Sequence, residues 1–139
     1  MEPAMNRELV TDPLDHEELW SDVRANVEML TRCGHSGALV FFGVAWGRHI
    51  YPDRWHDMLI SLKELEVRIA QAEEKGFGRL GSDNLYFTLT ELPLRLSYSC
   101  ESDIHLSYAR EDLIVTRIRE RWISSGWLTE TLRSKNYDR

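Results

Sequence analysis

The chain has 139 residues, of which 42% are hydrophobic and 29% are charged, and its formal net charge at pH 7 is −6. This length and composition predict one soluble globular domain with a single core and exclude a largely disordered chain. The acidic balance also argues against nucleic-acid binding, because a duplex-binding protein usually presents a strong positive field.

The negative charge is concentrated near the N-terminus. Residues 1–31 contain eight acidic and two basic side chains, and this excess of six equals the net charge of the whole chain. Such asymmetry concerns partners rather than fold, and it predicts a basic protein partner. The eight acidic residues are Glu2, Glu8, Asp12, Asp15, Glu17, Glu18, Asp22 and Glu28.

The cysteine content and the apolar runs of the chain indicate the compartment in which the protein resides. The chain has two cysteines, and no apolar leader precedes them, a pattern that predicts a cytoplasmic protein. Its most apolar run, residues 38–46, is nine residues long, which is too short to span a membrane. Residues 1–11 are predicted to form a flexible acidic arm and residues 129–139 a polar tail, with one domain over residues 12–128.

The first predicted element is a helix with Asp12 as its N-cap and Pro13 at its first position, ending before Gly34. Its apolar residues recur at steps of three and four, and most of its acidic residues are expected to face water. The predicted buried stripe consists of Leu19, Trp20, Val23, Val27 and Leu30.

Two further elements follow the first helix. Residues 38–46 show no polar alternation, which predicts a central strand that is covered on both faces. A second helix is predicted from Pro52 and Asp53 to Gly76. Its expected core residues are Trp55, Met58, Leu59, Leu62, Leu65, Ile69 and Ala72.

From Asn84 onward the hydrophobic period changes to two, which predicts three strands in a meander. Residues that face each other must point to the same side of the sheet, and this rule constrains the turns. Leu89 is therefore expected opposite Leu94. A three-residue loop is expected to place Cys100 opposite Ile104, with the cysteine side chain inward.

A last helix is predicted over residues 110–125, and Trp127 and Leu128 are expected to fold back onto the core. The resulting order, α-β-α-β-β-β-α, defines a two-layer α+β fold with about four largely antiparallel strands and helices packed on one face. The residues expected on the buried side of the last helix are Ile114, Val115, Ile118 and Trp122.

The segment from Gly76 to Gly81 spells G-x-G-x-x-G, but it follows a helix and precedes a strand. A dinucleotide site needs the opposite context, so these glycines are interpreted as a helix C-cap and connector.

Two groups of potential metal ligands have spacings that match no strong metal-site pattern, so neither a metal nor a cofactor is predicted. The cysteines are instead expected to be buried. The first group is His49, Asp53, His56 and Asp57, and the second is Cys33, His35, Cys100 and His105.

Glu101, Asp103 and His105 lie at or beside a predicted hairpin tip. Carboxylates beside an imidazole could perform general acid/base chemistry, whereas a solvated turn is the competing interpretation.

Three arginines of the last helix, Arg110, Arg117 and Arg121, could form a basic ridge. Acidic residues are interleaved with them in the same helix, so intramolecular pairing or an acidic partner is expected rather than a nucleic acid.

The face of the meander that points away from the core is predicted to be flat and rich in hydroxyl groups. Tyr86, Arg95 and His105 are its candidate anchors for a partner. Its expected residues are Tyr86, Thr88, Thr90, Arg95, Ser97, Ser99, His105 and Ser107.

The leading functional hypothesis is a small, acidic, non-enzymatic protein-binding module. A stoichiometric inhibitor or immunity-type protein that neutralises a basic partner, such as a toxin domain, fits the charge pattern best. The alternative is a small hydrolase or transferase that uses His105 with Glu101 or Asp103 as its acid/base group. A homo-oligomer that associates through an unpaired sheet edge or the acidic first helix is the third hypothesis. The predicted partner-binding residues are Asp15, Glu17, Glu18, Asp22, Tyr86, Arg95, Glu101, Asp103 and His105.

Overall fold

The computed structural model describes residues 5–43, 55–76, 78–128 and 135–136. These residues form three helices and one antiparallel sheet, so the predicted α+β class is confirmed. The helices are α1 (His16–Arg32), α2 (Leu62–Lys75) and α3 (Leu113–Ser124). The strands are β1 (Arg7–Val10), β2 (Gly37–Gly43), β3 (Trp55–Ser61), β4 (Asn84–Leu89), β5 (Leu94–Tyr98), β6 (Ile104–Tyr108) and the two-residue β7 (Lys135–Asn136).

The sheet has the order β3-β2-β4-β5-β6-β1-β7, and all of its pairings are antiparallel. Buried side chains alternate with more exposed ones along β4, β5 and β6, which is the pattern of a sheet with one covered face. The prediction of about four strands was too low, and the predicted element order lacked β1, β3 and β7.

Strand β1 falls in the segment that was predicted to be a flexible arm. It pairs with β6, where Leu9 lies opposite Leu106 and both side chains are buried. The carboxylate of Glu8 lies 3.0 Å from the ring of His105 on the other face of the sheet. A four-residue strand with one buried leucine carries too weak a periodic signal to be recognised without its neighbour.

Strand β3 replaces the first part of the predicted second helix, which was wrong for residues 55–61. Residues 55–61 pair with β2, and α2 begins only at Leu62, with Ser61 as its N-cap. Ser61 and Glu64 stand three residues apart, which is the sequence pattern of a capping box and marks the true start. The predicted end at Gly76 is confirmed, because that glycine has φ +79° and caps the helix.

Strand β2 is less covered than predicted. Ala38, Val40 and Phe42 are buried, but Leu39 on the opposite face is 41% exposed. The helices that the structure describes lie on the other face of the sheet from Leu39, so the uninterrupted apolar run did not mean burial on both sides. Residues 44–46 of the predicted strand, like Pro52 and Asp53 of the predicted helix start, lie outside the described residues.

Helix α1 begins three residues later than predicted, because its N-cap is Asp15 rather than Asp12. The Asp15 carboxylate accepts a hydrogen bond from the Glu18 N–H, and the Glu18 carboxylate accepts one from the Asp15 N–H. Leu14 and Leu19, both buried, flank this capping box in the positions of a hydrophobic staple. The Asp12 N–H instead donates to the carbonyl of Trp127.

The meander has the predicted β4–β5 register, with Thr88 opposite Arg95. The β5–β6 register differs by two residues, because Tyr98 rather than Cys100 lies opposite Ile104. A shift of two residues keeps every side chain on its predicted face of the sheet. It lengthens the turn, however, and leaves Cys100 exposed, so the prediction of an inward cysteine was wrong.

Helix α3 has the predicted buried stripe, and Trp127 and Leu128 pack against the core as expected. Among the described residues, none of the helices combines the length and the apolar character that crossing a membrane would require.

The centre of the helix layer contains a buried charge. Asp22, which was predicted to face water and bind a partner, is only 1% exposed. Its Oδ1 accepts hydrogen bonds from Arg121 (2.7 Å) and from the Trp122 indole (2.8 Å), and its Oδ2 accepts one from the Tyr98 hydroxyl (2.8 Å). Asn26 donates to the same Oδ2 at 2.8 Å. Asp22 is therefore an internal link between helices and sheet and cannot reach a partner.

The same network acts on Tyr98, whose hydroxyl also accepts a hydrogen bond from Asn26. Complete burial and the adjacent negative charge of Asp22 raise the pKa of Tyr98 well above its usual value of 10.0. The phenol therefore stays protonated and remains a donor to the carboxylate.

Replacing Asp22 with Asn should strongly destabilise the fold. The new amide group would remove the counter-charge of Arg121 and direct N–H donors at other donors. We expect a loss of about 3 kcal/mol in the free energy of unfolding, measured by urea denaturation with tryptophan fluorescence. Asp15→Asn, which keeps an N-cap acceptor, is the control and should cost less than about 0.5 kcal/mol. Equal effects of the two substitutions would contradict a special role of the buried carboxylate.

Candidate binding surface

Two acidic segments that are far apart in sequence lie together at one end of the molecule. The N–H of Leu14, just before α1, donates to the carbonyl of Ser102 in the β5–β6 turn at 2.8 Å. This bond brings Asp15 next to the turn that carries Glu101 and Asp103. We call this region, formed by residues 12–18 and 99–103, the acidic end.

The acidic residues at the start of α1 differ in whether their carboxylates already accept hydrogen bonds within the chain. Asp15 and Glu18 hold each other's main-chain N–H groups in the capping box, so their carboxylates already have intramolecular partners. Glu17 is exposed and lies in the first turn of the helix, where the helix dipole favours a negative charge. Among the predicted acids of α1, Glu17 is thus the one best placed to meet a partner.

The β5–β6 turn is held in an unusual conformation that presents Glu101 to solvent. Ser102 has φ +70°, in the left-handed region that side chains other than glycine seldom adopt. Its N–H donates to the carbonyl of Ser99 at 3.0 Å, and its hydroxyl donates to the carbonyl of Gly81 at 3.2 Å. With the bond from Leu14, three hydrogen bonds fix this residue between two acidic neighbours.

Substitutions at Ser102 should separate the stabilising effect of its hydroxyl hydrogen bond from the destabilising effect of its backbone strain. Ser102→Ala loses the hydroxyl bond but keeps the strained φ, so the free energy of unfolding should fall by about 1 kcal/mol. Ser102→Gly loses the same bond but relieves a strain of about 1 kcal/mol, and it should be the more stable variant. Thermal unfolding of the two proteins checks the order, and a more stable alanine variant would show that the turn is not strained.

Glu73 of α2 connects the acidic end to α2 through side chains of α1. Its carboxylate accepts hydrogen bonds from His16 (2.8 Å), from the Trp20 indole (2.8 Å) and from the N–H of Leu80 (2.9 Å). Partial burial raises the pKa of Glu73, but the bonds from His16, Leu80 and Trp20 outweigh it, so the pKa lies below the usual 4.5. The charged form of Glu73 thus ties α1 to α2 and to the segment after Gly76.

The depressed pKa of Glu73 predicts a pH-dependent contribution to stability. A carboxyl group with a lower pKa in the folded state stabilises the protein above its unfolded pKa, and this stabilisation is lost as the pH falls through the folded pKa. Glu73→Gln should therefore lower the free energy of unfolding by about 1–2 kcal/mol at neutral pH. The difference from the original protein should shrink below about pH 4 in denaturation curves. A difference that stays constant down to acid pH would contradict this assignment.

His105 lies on the open face of the sheet between two carboxylates. Its Nδ1 is 3.0 Å from Glu8 and its Nε2 is 3.1 Å from Asp103. Asp103 also accepts a hydrogen bond from the Ser99 hydroxyl. Glu101, the other predicted partner of His105, is exposed, and its N–H donates to the hydroxyl of Ser99. Both ring nitrogens of His105 therefore lie within hydrogen-bonding distance of carboxylates of the same chain.

The open face continues from His105 towards β2. Tyr86, Ser97 and His105 are cross-strand neighbours on β4, β5 and β6. The ring of Tyr86 stacks on Phe41 with 5.4 Å between centroids, and the guanidinium of Arg95 lies 5.9 Å from the Tyr86 ring. Aromatic and arginine side chains of this kind supply many of the strong contacts at protein interfaces.

Sequence reasoning missed the apolar part of this face. Leu39 is 41% exposed and Leu59 is 66% exposed, and the two lie opposite each other on β2 and β3. The error had two causes. Residues 38–46 were predicted to be covered on both faces, so Leu39 was expected to be buried, and residues 55–61 were assigned to a helix, so Leu59 was expected in the core.

A groove of about 500 Å³ lies between α1 and α3. Its charges are mixed, and Arg121 at its base is paired with Asp22 at 2.7 Å. Intramolecular pairing is one of the two arrangements that the sequence suggested for Arg121. The groove is lined by Ala25, Glu28, Met29, Arg32, Cys33, Arg117, Glu120, Arg121 and Ser124.

The described residues contain no cluster of three or more His, Cys, Asp or Glu side chains that is placed to hold a metal. Cys33 and Cys100 are both free and exposed, so the prediction of buried cysteines was wrong. His49 and Asp53 lie outside the described residues, and only the backbone of His56 and Asp57 is described. Comparison with protein-family models, curated proteins and solved structures finds no match for this chain.

Proposed function

We propose that the protein is a small non-enzymatic binding module, a stoichiometric inhibitor or immunity-type protein that neutralises a basic partner such as a toxin domain. The observation that carries this proposal is the junction of two acidic segments through the bond between Leu14 and Ser102. Charges that are fixed in place before binding speed the encounter with a partner of opposite charge. The proposal includes a cytoplasmic location, in keeping with the cysteine content.

The acidic end adjoins the face that would supply tighter contacts. Asp103 belongs to the acidic end and also contacts His105 on the open face of the sheet. From His105 a row of cross-strand neighbours leads through Ser97 to Tyr86. Charge would therefore guide a basic partner to the turn, and the anchors Tyr86, Arg95 and His105 would lie within the same contact area.

The proposed contact set is smaller than the one that the sequence suggested. Asp22 is internal and is removed from the set, and the exposed Glu17 and Glu101 remain as the principal acidic contacts. The enzymatic alternative relies on His105, whose two nitrogens already contact Glu8 and Asp103. The geometry therefore favours a binding role for this histidine over an acid/base role.

Reversing the charge of Glu17 and Glu101 together should slow association with the basic partner. The protein would be immobilised, a basic partner captured at low salt and identified, and association rates measured by surface plasmon resonance. We expect the double variant Glu17→Lys, Glu101→Lys to associate about tenfold more slowly at low salt, with a smaller difference at high ionic strength.

The double variant Glu28→Lys, Glu91→Lys is the matched control, because both residues are exposed, both lie outside the acidic end, and the two replacements change the net charge by the same amount. It should have less effect on the rate. Equal slowing by the control would mean that net charge alone, and not the acidic end, guides the partner. If a captured basic protein associated at the same rate with the original protein and with both variants, the proposal would be contradicted.

A further inference from the structure

In the part of the chain that the structure describes, the sheet ends on one side at β3. Among the described residues, β3 is hydrogen-bonded only to β2. An exposed edge of this kind is a template for pairing with another strand, and proteins usually protect it with charges or irregularities. The register of β3 is irregular near Trp55, but residues 58–61 pair regularly with β2 and include no charged side chain.

The exposed side chain nearest this regular edge is apolar. Leu59 is 66% exposed, the largest exposure among the exposed large hydrophobic residues of the described chain. In an antiparallel pair of two identical strands related by a twofold axis, directly opposed residues point to the same face. With the axis at Leu59, the two copies of this leucine would lie against each other, and Met58 of each copy would face Ile60 of the other.

Helix α2 packs on β2 and β3, next to this edge. Arg68 donates a hydrogen bond to the sulfur of Met58 at 3.4 Å, which shows that this side of the helix points towards β3. Glu64 lies on the same side, because its carboxylate is 3.9 Å from the Arg68 guanidinium. Glu64 and Arg68 therefore place opposite charges, four positions apart, on the helix side next to the edge.

The relative positions of strand and helix make these charges self-complementary. Arg68 contacts the side chain of Met58, so we align these two residues, and one residue of strand, about 3.3 Å, corresponds to about two residues of helix at 1.5 Å each. Leu59 is thus level with residue 66, midway between Glu64 and Arg68. A twofold axis through Leu59 makes the two α2 helices antiparallel and places Glu64 of each copy opposite Arg68 of the other.

We propose that the protein forms a homodimer through antiparallel pairing of its β3 edges, with Leu59 on the axis and two Glu64–Arg68 ion pairs between the α2 helices. The observations that favour a second copy over another partner are the matching of opposite charges and the coincidence of both contacts on one axis. The dimer interface does not involve the acidic end, so this inference is independent of the proposed function.

The mass of the protein in solution tests the dimer. Light scattering coupled to size-exclusion chromatography should give twice the chain mass of 16.3 kDa for the original protein. Leu59→Lys should produce a monomer, because it places two like charges on the axis. Leu113→Lys, at another exposed apolar residue, is the control and should remain a dimer. A monomeric original protein, or a Leu59→Lys dimer, would overturn the proposal.

A charge exchange tests the orientation of the two copies. Glu64→Arg alone should raise the dimer Kd by about tenfold, because each copy would then oppose two arginines. The double variant Glu64→Arg, Arg68→Glu restores the opposite charges and should return the Kd towards its original value. Lys63→Glu, on the same helix but turned away from the edge, should leave the Kd unchanged. Failure of the double variant to restore dimerisation would rule out this pairing of the helices.

Discussion

A buried negative charge on Asp22 constrains how the helices of this protein sit on the sheet. A carboxylate inside a protein is costly unless its oxygens accept several hydrogen bonds. Asp22 of α1 accepts them from Tyr98 of β5 and from Arg121 and Trp122 of α3. All of these donors must be in place together, so the charge is tolerated only when both helices are docked on the sheet in one relative position. Apolar packing alone would permit small shifts between the same elements.

The position of α1 then determines the geometry of the acidic end. With α1 fixed at Asp22, its N-terminus reaches the β5–β6 turn, where the N–H of Leu14 meets the carbonyl of Ser102. Glu73 adds a second link on the other side of the helix through His16 and Trp20. An interior network that appears purely structural therefore determines the placement of charges on the surface.

The sequence predicted those elements in which local pattern and tertiary contacts agree. The period of two in β4 to β6 and the apolar stripe of α3 led to correct elements, because each has one buried face. The strand β3 was missed because Met58, Leu59 and Leu62 also fit helical spacing. The capping pattern of Ser61 and Glu64 nevertheless marks the start of α2 at Leu62, which leaves residues 55–61 free to be a strand.

Other features had a weaker signal or none in the sequence. Asp22 and Asn26 are four residues apart on the same side of α1 as Leu19 and Leu30, so their position on the buried face could have been read from the helical period. The pairing of Glu8 with His105 spans 97 residues, and no local pattern specifies it. The same holds for the junction of Leu14 with Ser102, since long-range contacts depend on strand order.

The acidic end and the open face of the sheet would contribute to partner binding in different ways. Long-range attraction depends on exposed charge such as Glu17 and Glu101, and it acts on the rate of encounter. Slow dissociation depends on buried contacts, for which the open face offers Tyr86 stacked on Phe41. Because Asp103 contacts His105, the β5–β6 turn is held rigidly relative to the open face that carries Tyr86. A partner guided to the turn would therefore meet the aromatic side chains without any rearrangement of the fold, which keeps the entropic cost of binding low.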